Sequence, residues 1–331
     1  MDWGSQKNIL AFVEQKDGKP VGAGLESLTP ARTLAETSGG KVLALLVGKD
    51  NTEAEKDTAA FGADQILSVQ GDAFGEGCAD AFLCALEQMT EKYHPGVILA
   101  ANTPLSRELT ARLCAHKQLG SIQDAVALRM EDNTPVWTVS AYGGTIREDV
   151  VPDTVPFAAT VRSGAFRKAK AGGAAASVVQ ETVSVPQDAL HTKVLESVKE
   201  IAEAVNLEDA KVIVSGGRGM GSKENFALVQ QLADVLGGVV GATRPAIESG
   251  WISRVHQIGQ SGKSVAPALY IACGISGAIQ HVSGVVNSGY IVAINSDEDA
   301  SIFDIADVGI VGDVMQVLPL MIDAIKKRKA G

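Results

Sequence analysis

The stretch Gly216-Gly217-Arg218-Gly219-Met220-Gly221 places four glycines within six residues. Backbone without Cβ atoms can bring its N–H groups close to a pyrophosphate, so this loop reads as a phosphate cradle rather than a plain turn. Thr243-Arg244-Pro245 ends a second apolar run. An arginine there can pair with phosphate or lie flat against an aromatic ring. Gln257-Ile258-Gly259-Gln260-Ser261-Gly262-Lys263 is a polar loop too elaborate for a simple connection. Gly274-Ile275-Ser276-Gly277-Ala278-Ile279-Gln280-His281 opens a helix with small residues, a start suited to an anion, with Gln280 and His281 one turn in. Asn295-Ser296-Asp297 and Gly312-Asp313 supply two further polar ends. The chemistry these residues imply is the binding of a long, phosphate-bearing nucleotide, with no nucleophile–base pair and no metal cluster among them.

The elements that must position this set are five strand-to-helix units over residues 211–331. Their strands are read at Val212–Val214, Val239–Ala242, Leu269–Cys273, Tyr290–Ile294 and Val308–Val311. In an open parallel sheet, ligands bind at the carboxyl ends of the strands, and each polar segment falls there. A helix is expected from near Ser222. The loop spacing is not G-x-G-x-x-G, and the second strand ends in Thr243-Arg244 rather than in an acid for a ribose hydroxyl. A standard NAD-binding Rossmann domain is therefore disfavoured.

Upstream, Ile9–Val13, Val42–Val47, Gln65–Val69 and Val97–Ala100 read as strands alternating with helices at Thr29–Thr37, Ala79–Tyr93 and after Thr103-Pro104. Val126–Arg129, Val136–Ala141, Ala158–Val161 and Val178–Val185 follow as strands without helices between them, and are expected to extend or flank the first sheet. A weak helical pattern from Pro186 to Asn206 joins the halves. The expectation is an α/β protein of two domains, each a mostly parallel sheet flanked by helices: residues 1–205, with no phosphate fingerprint, and residues 206–331, a doubly wound nucleotide-binding domain.

The balance of 29 basic and 39 acidic residues gives a net charge of −10, which argues against a nucleic-acid surface. The basic run Lys326-Lys327-Arg328-Lys329 suits the carboxyl end of a last helix. No apolar run reaches membrane-spanning length, and the first residues show neither a signal-peptide nor a transit pattern. Cys78, Cys84, Cys114 and Cys273 are scattered, without the C-x-x-C spacings of zinc or iron–sulfur sites. Buried thiols and a cytoplasmic location are expected.

Together, Ser215-Gly216-Gly217-Arg218-Gly219, Gly241-Ala242-Thr243-Arg244, the Gln257–Lys263 loop and the Gly274–His281 segment resemble the α subunit of electron-transfer flavoproteins. Ile291-Val292-Ala293-Ile294-Asn295, Ile302-Phe303, Ala306-Asp307 and Gly309-Ile310-Val311 continue the likeness. The resemblance covers residues 211–331 by motif and the first domain by general arrangement. It implies one FAD held by the second domain and a β subunit carrying AMP or a second FAD. By position, it implies Arg218, Thr243 and the helix start Ser276, Gly277 and Ala278 near the pyrophosphate, and Arg244 against the isoalloxazine ring. Ser261 then reaches the N5 edge. Gln260 and His281 fall near the pyrimidine edge, and Asn295 and Asp313 at the adenosine end. Gly217, Gln257, Gly259, Gly274 and Gln280 complete the set of cofactor-binding candidates. Thr243 and Ser261 stand where many members have serine and threonine, and each keeps a hydroxyl. A cation and donors around the ring are what a one-electron carrier needs to hold developing negative charge.

The implied role is to carry electrons from a flavin dehydrogenase, of acyl-CoA dehydrogenase type, to a second redox protein. The bifurcating subclass, in which NADH is oxidised and ferredoxin is also reduced, is the nearest alternative. An NAD-dependent transferase of the deoxyhypusine-synthase type, with Lys263 as its lysine, and a non-catalytic nucleotide sensor are further classes.

Overall fold

In the computed structural model, residues 1–75, 78–144, 146–169, 172, 176–194 and 206–330 are described. The chain forms two compact units, made largely of residues 1–198 and of residues 199–331.

The first unit is built on a nine-stranded sheet. Its strands are β1 (Ile9–Phe12), β2 (Val42–Gly48), β3 (Gln65–Gln70), β4 (Val97–Ala101), β5 (Gly120–Glu131), β6 (Thr134–Ala141), β7 (Ile146–Val150), β8 (Phe157–Val161) and β9 (Ser177–Glu181), in the spatial order β9-β3-β2-β1-β4-β8-β5-β6-β7. Pairing is parallel from β9 through β5 and antiparallel across β5-β6-β7. Every residue of β1, β2, β4 and β8 is buried, as strands covered on both faces must be. Side-chain alternation sends Ile9 and Ala11 into one core and Leu10 and Phe12 into the other.

The late strands join the first sheet as expected, but β8 enters its middle, between β4 and β5. The helix from Thr103-Pro104 forms as read: Thr103 Oγ1 accepts from the Ser106 amide at 3.1 Å, and Pro104 is its first residue. The helix expected over 186–206 does not appear in its described part, where the only regular turn is a 3-10 turn at Gln187–Ala189. Residues 195–205 of that expectation lie outside the described ones. His191 and Thr192 are instead drawn onto Asp80. Its carboxylate accepts both backbone N–H groups at 2.8 and 2.9 Å and pairs with Arg112 at 2.7 Å.

The second unit carries five parallel strands: β10 (Val212–Gly216), β11 (Val239–Ala242), β12 (Leu269–Cys273), β13 (Ile291–Asn295) and β14 (Val308–Val311), ordered β11-β10-β12-β13-β14. One face packs Val214, Ile271 and Ile294 against α1 (Phe226–Leu236) and α2 (Val314–Ala330), through Val229, Leu232, Leu318 and Ile322. The other face packs Ile213, Tyr270 and Ala272 against Ile275, Val285 and Ile302. Full burial of each Val, Leu or Ile among them contributes about 1.5–3 kcal/mol. The basic run ends α2 as expected, with Lys329 Nζ donating to the Val235 carbonyl at 2.6 Å. The winding direction reverses between β10 and β12. A crevice opens there beyond their carboxyl ends.

Candidate functional site

The loops after β10 and β12 meet backbone to backbone at this crevice. Gly217 N donates to the Cys273 carbonyl and Gly219 N to the Gly274 carbonyl, both at 2.9 Å. A Cβ on Gly217 would lie 2.3 Å from the Gly274 oxygen, and one on Gly219 would lie 2.7 Å from it. Gly274 itself has φ +62°, a conformation other residues adopt only under strain. The glycines are therefore required by the fit of one loop on the other. The helix expected near Ser222 begins four residues later, at Phe226. Arg218–Met220 forms a 3-10 turn, and Gly221, at φ +80°, prevents it from continuing. The loop thus approaches a ligand with backbone and the Arg218 side chain, not with a long helix end.

After β11, Thr243 caps a single-turn helix, Arg244–Glu248. Thr243 is buried, and its Oγ1 has no hydrogen-bond partner among the described residues. A buried hydroxyl left unpaired is costly, and one lining a cavity is a place for a ligand atom. The Gln257–Lys263 loop is closed on itself. Gly259 N donates to the Lys263 carbonyl at 3.1 Å, Lys263 N to the Gln257 carbonyl at 2.8 Å, and Gln257 Nε2 to Ser261 Oγ at 3.1 Å. It docks on the next segment through Gln260 N, which donates to the Gln280 carbonyl at 2.7 Å.

These segments enclose a cavity of about 660 Å³, within the range of small-molecule and cofactor sites. Of the residues singled out in the sequence, Gly217, Arg218, Thr243, Arg244, Gly259, Gln260, Ser261, Gly274, Ser276, Ala278, Gln280, His281 and Asn295 line it. Gln257, Gly277 and Asp313 do not. Gln257 braces the loop from behind. Gly277, at φ +90°, passes so close to Ile302 that a Cβ would lie 2.1 Å from its amide nitrogen. Asp313 accepts from the Met315 amide at 2.9 Å and caps α2. Asn295 braces the Ile275 loop, donating from Nδ2 to the Ile275 carbonyl at 2.9 Å.

The structure also changes the chemistry open to His281. Its Nε2 sits 2.8 Å from the Tyr270 hydroxyl and its Nδ1 3.1 Å from the Ile258 carbonyl, so both ring nitrogens are taken up inside the protein. Burial pushes its pKa down to about 4, a trend the Ile258 carbonyl only partly offsets. It meets the cavity as a neutral ring. Sequence reasoning missed Glu248, which lines the wall and pairs with Arg244, and the apolar wall made by Ile258 and Ile275. Glu248 stands four residues after Arg244, and that spacing on a helix was the available signal.

An open parallel sheet with a glycine-lined, two-arginine cavity at its reversal point defines a nucleotide-binding α/β protein. A family model described as "Electron transfer flavoprotein FAD-binding domain" matches residues 206–286, and one described as "Electron transfer flavoprotein domain" matches residues 9–188. The chain is 41% identical over 326 residues to the electron transfer flavoprotein subunit alpha of Thermoanaerobacterium thermosaccharolyticum, covering 98% of this chain and 99% of that one. It is also 41% identical to the subunit of the same name from Megasphaera elsdenii, with 99% of each chain covered. With the "Acryloyl-CoA reductase electron transfer subunit beta" of Anaerotignum propionicum it shares 36% identity, over 99% of this chain and 98% of the other. The chain belongs to the electron transfer flavoprotein α-subunit family. Its role is electron transfer, and its second unit contains the family's FAD-binding domain.

Proposed function

We propose that this chain is the FAD-carrying α subunit of a heterodimer that takes electrons from a flavin dehydrogenase, of acyl-CoA dehydrogenase type, and delivers them to a second redox protein. The observation that carries the cofactor assignment is Thr243 Oγ1, a buried hydroxyl without a partner on the wall of a glycine-framed cavity. The donor set fits FAD. Arg218, Thr243, Ser276 and Ala278 would hold the pyrophosphate, Arg244 would lie against the flavin ring, and Gln260 and Ser261 would face its polar edge. When bound, the flavin supplies one- and two-electron redox chemistry. The chain's own part is to orient it, to exclude water with the Ile258 and Ile275 side chains, and to bring the Arg244 guanidinium to where negative charge grows.

The first unit, residues 1–205 in this reading, is the platform for the β subunit, which carries AMP or a second FAD, and residues 206–331 form the FAD-binding domain. Among the described residues, no helix is long and apolar enough to cross a membrane. We take the complex to work in the cytoplasm. Lys263 is not among the residues lining the cavity, which removes support from a lysine-dependent transferase.

The likeness to an acryloyl-CoA reductase electron transfer subunit favours a second version of the same role. In it the complex is bifurcating, oxidises NADH through a flavin in the β subunit, and reduces both a ferredoxin and an acyl-CoA dehydrogenase. Counting flavins in the purified heterodimer tests both. One FAD with AMP marks the simple carrier and two FADs the bifurcating form. A complex without flavin would overturn the assignment.

A further inference from the structure

The Gln260–Ser261 wall of the cavity is held by a strut that begins in the buried core beneath it. Tyr270, in β12, is wholly buried, and its hydroxyl meets His281 Nε2 at 2.8 Å. His281 Nδ1 meets the Ile258 carbonyl at 3.1 Å, immediately before the loop that carries Gln260 and Ser261. We propose that Tyr270 is a positioning residue: its hydroxyl fixes His281 in the tautomer protonated on Nδ1, and the imidazole in turn holds the Ile258–Ser261 stretch against the cavity.

The proton placement follows from donor and acceptor counting. A carbonyl oxygen can only accept, so Nδ1 carries the hydrogen. In a neutral ring Nε2 then has a lone pair, and the Tyr270 O–H is the donor that meets it. The alternative tautomer would leave Nδ1 and the Ile258 oxygen as two acceptors face to face. Burial favours the neutral ring and also keeps the Tyr270 phenol protonated, by raising its pKa far above the ordinary value. Ser215 and Cys273 also lie near the phenol, and both are buried and uncharged.

The loop also lies backbone to backbone on the segment that carries Gln280 and Gly284. Gly259, at φ +136°, is pressed against the Gln280 carbonyl, where a Cβ would lie only 2.7 Å from the oxygen. Gly284 approaches Gly259 as closely, with a Cβ there 2.7 Å from the Gly259 Cα. Within the loop, Gln257 Nε2 reaches Ser261 Oγ at 3.1 Å, and Ile258 N donates to the Ala242 carbonyl at 3.0 Å. The His281 bond to Ile258 and the Gln280 bond to Gln260 N tie the loop to the segment that carries Gln280 and His281. What the loop residues do toward the flavin rests on the proposed function. The strut itself does not.

The test uses the full-length chain with its β subunit, labelled with 15N in histidine, His281 being assigned by its loss in His281→Asn. The expected spectrum shows His281 protonated on Nδ1 and unprotonated on Nε2 at neutral pH. The opposite tautomer in the unaltered protein overturns the proposal. Tyr270→Phe keeps the packing and removes the donor. It is expected to mix the two tautomers and to speed hydrogen exchange at the Gln260–Lys263 amides on the order of tenfold, the effect of losing one hydrogen bond. Unchanged tautomer and exchange in a folded Tyr270→Phe protein would also overturn it. Bound flavin is measured separately on the same samples, so a failure of the FAD assignment is seen apart from a failure of the strut.

Discussion

Arg244 Nε donates to Glu248 Oε1 at 2.7 Å, one helical turn further on, and both side chains line the cavity. Both are well exposed, at 63% and 61% of their side-chain surface. An exposed pair at this spacing is worth only about 0.3–0.5 kcal/mol. Glu248 therefore keeps Arg244 near the wall without trapping it, and part of the positive charge the guanidinium offers a ligand is offset by its neighbour.

Removing that offset has a definite sign. Glu248→Gln is expected to raise the midpoint potential of the bound flavin, because the cavity becomes more positive where negative charge arrives. Arg244→Ala is expected to lower it, by an amount on the order of a few kcal/mol, as for other preorganised charge-stabilising groups. Arg244→Lys should recover only part of the loss, since a compact ammonium cannot lie flat on a ring. Reductive titration followed by absorbance measures all three. Equal potentials across the series would remove Arg244 from the flavin.

Thr243→Val separates stability from binding. The change replaces an unpaired buried hydroxyl with a methyl of similar shape, so the flavin-free protein should be as stable as before or about 1 kcal/mol more so. If that hydroxyl is a ligand contact, flavin affinity should fall on the order of tenfold for the same reason. Thermal unfolding of the flavin-free protein and titration with FAD give the two numbers. A loss of stability with unchanged affinity would show that the hydroxyl serves the fold.

Gly219→Ala should lose flavin and stability together. Its Cβ would fall 2.7 Å from the Gly274 carbonyl oxygen, so one loop must move off the other. Overpacking of this kind costs about 1–3 kcal/mol. Gly237→Ala provides the contrast: a Cβ there meets nothing, and only the left-handed φ of +70° is strained. Flavin binding should survive that substitution.

Asp80 predicts a response to acid. Arg112, first, and then the Thr192 and His191 groups hold its carboxyl down to about 2 from an ordinary 3.8. A carboxyl whose folded pKa is depressed stabilises the fold above its unfolded pKa, and that contribution fades as the pH falls through the folded value. The attachment of His191 and Thr192 should therefore be complete at neutral pH and loosen between about pH 4 and pH 2. Proteolysis near residues 191–194 across that range reads it directly. Asp80→Asn should show the loosened pattern already at neutral pH.

Much of this architecture is visible in the sequence where a segment is buried on both faces. Val42–Gly48 and Val97–Ala101 are unbroken apolar runs because no part of them meets water. Thr52–Ala59 escaped notice because only Ala54 and Thr58 of that helix are buried, so it carries no apolar stripe. The edge strand Ile146–Val150 reads Ile-Arg-Glu-Asp-Val and is held by pairing to β6, not by its own pattern. The cavity residues were legible as motif because glycines and an arginine at strand ends have few other uses. The pairing of Glu248 with Arg244 was signalled only by its four-residue spacing. The inward turn of His281 was not legible, because it depends on Tyr270, whose place in a strand looks purely apolar.

The grip of Asp80 on His191 and Thr192 also works as a clasp. The residues it joins stand 111 and 112 positions apart in the chain. Closing so long a stretch removes more freedom from the unfolded chain than a contact between near neighbours does. The ion pair between Asp80 and Arg112, by keeping that carboxylate charged and in place, fastens the far end of the first unit back onto its middle.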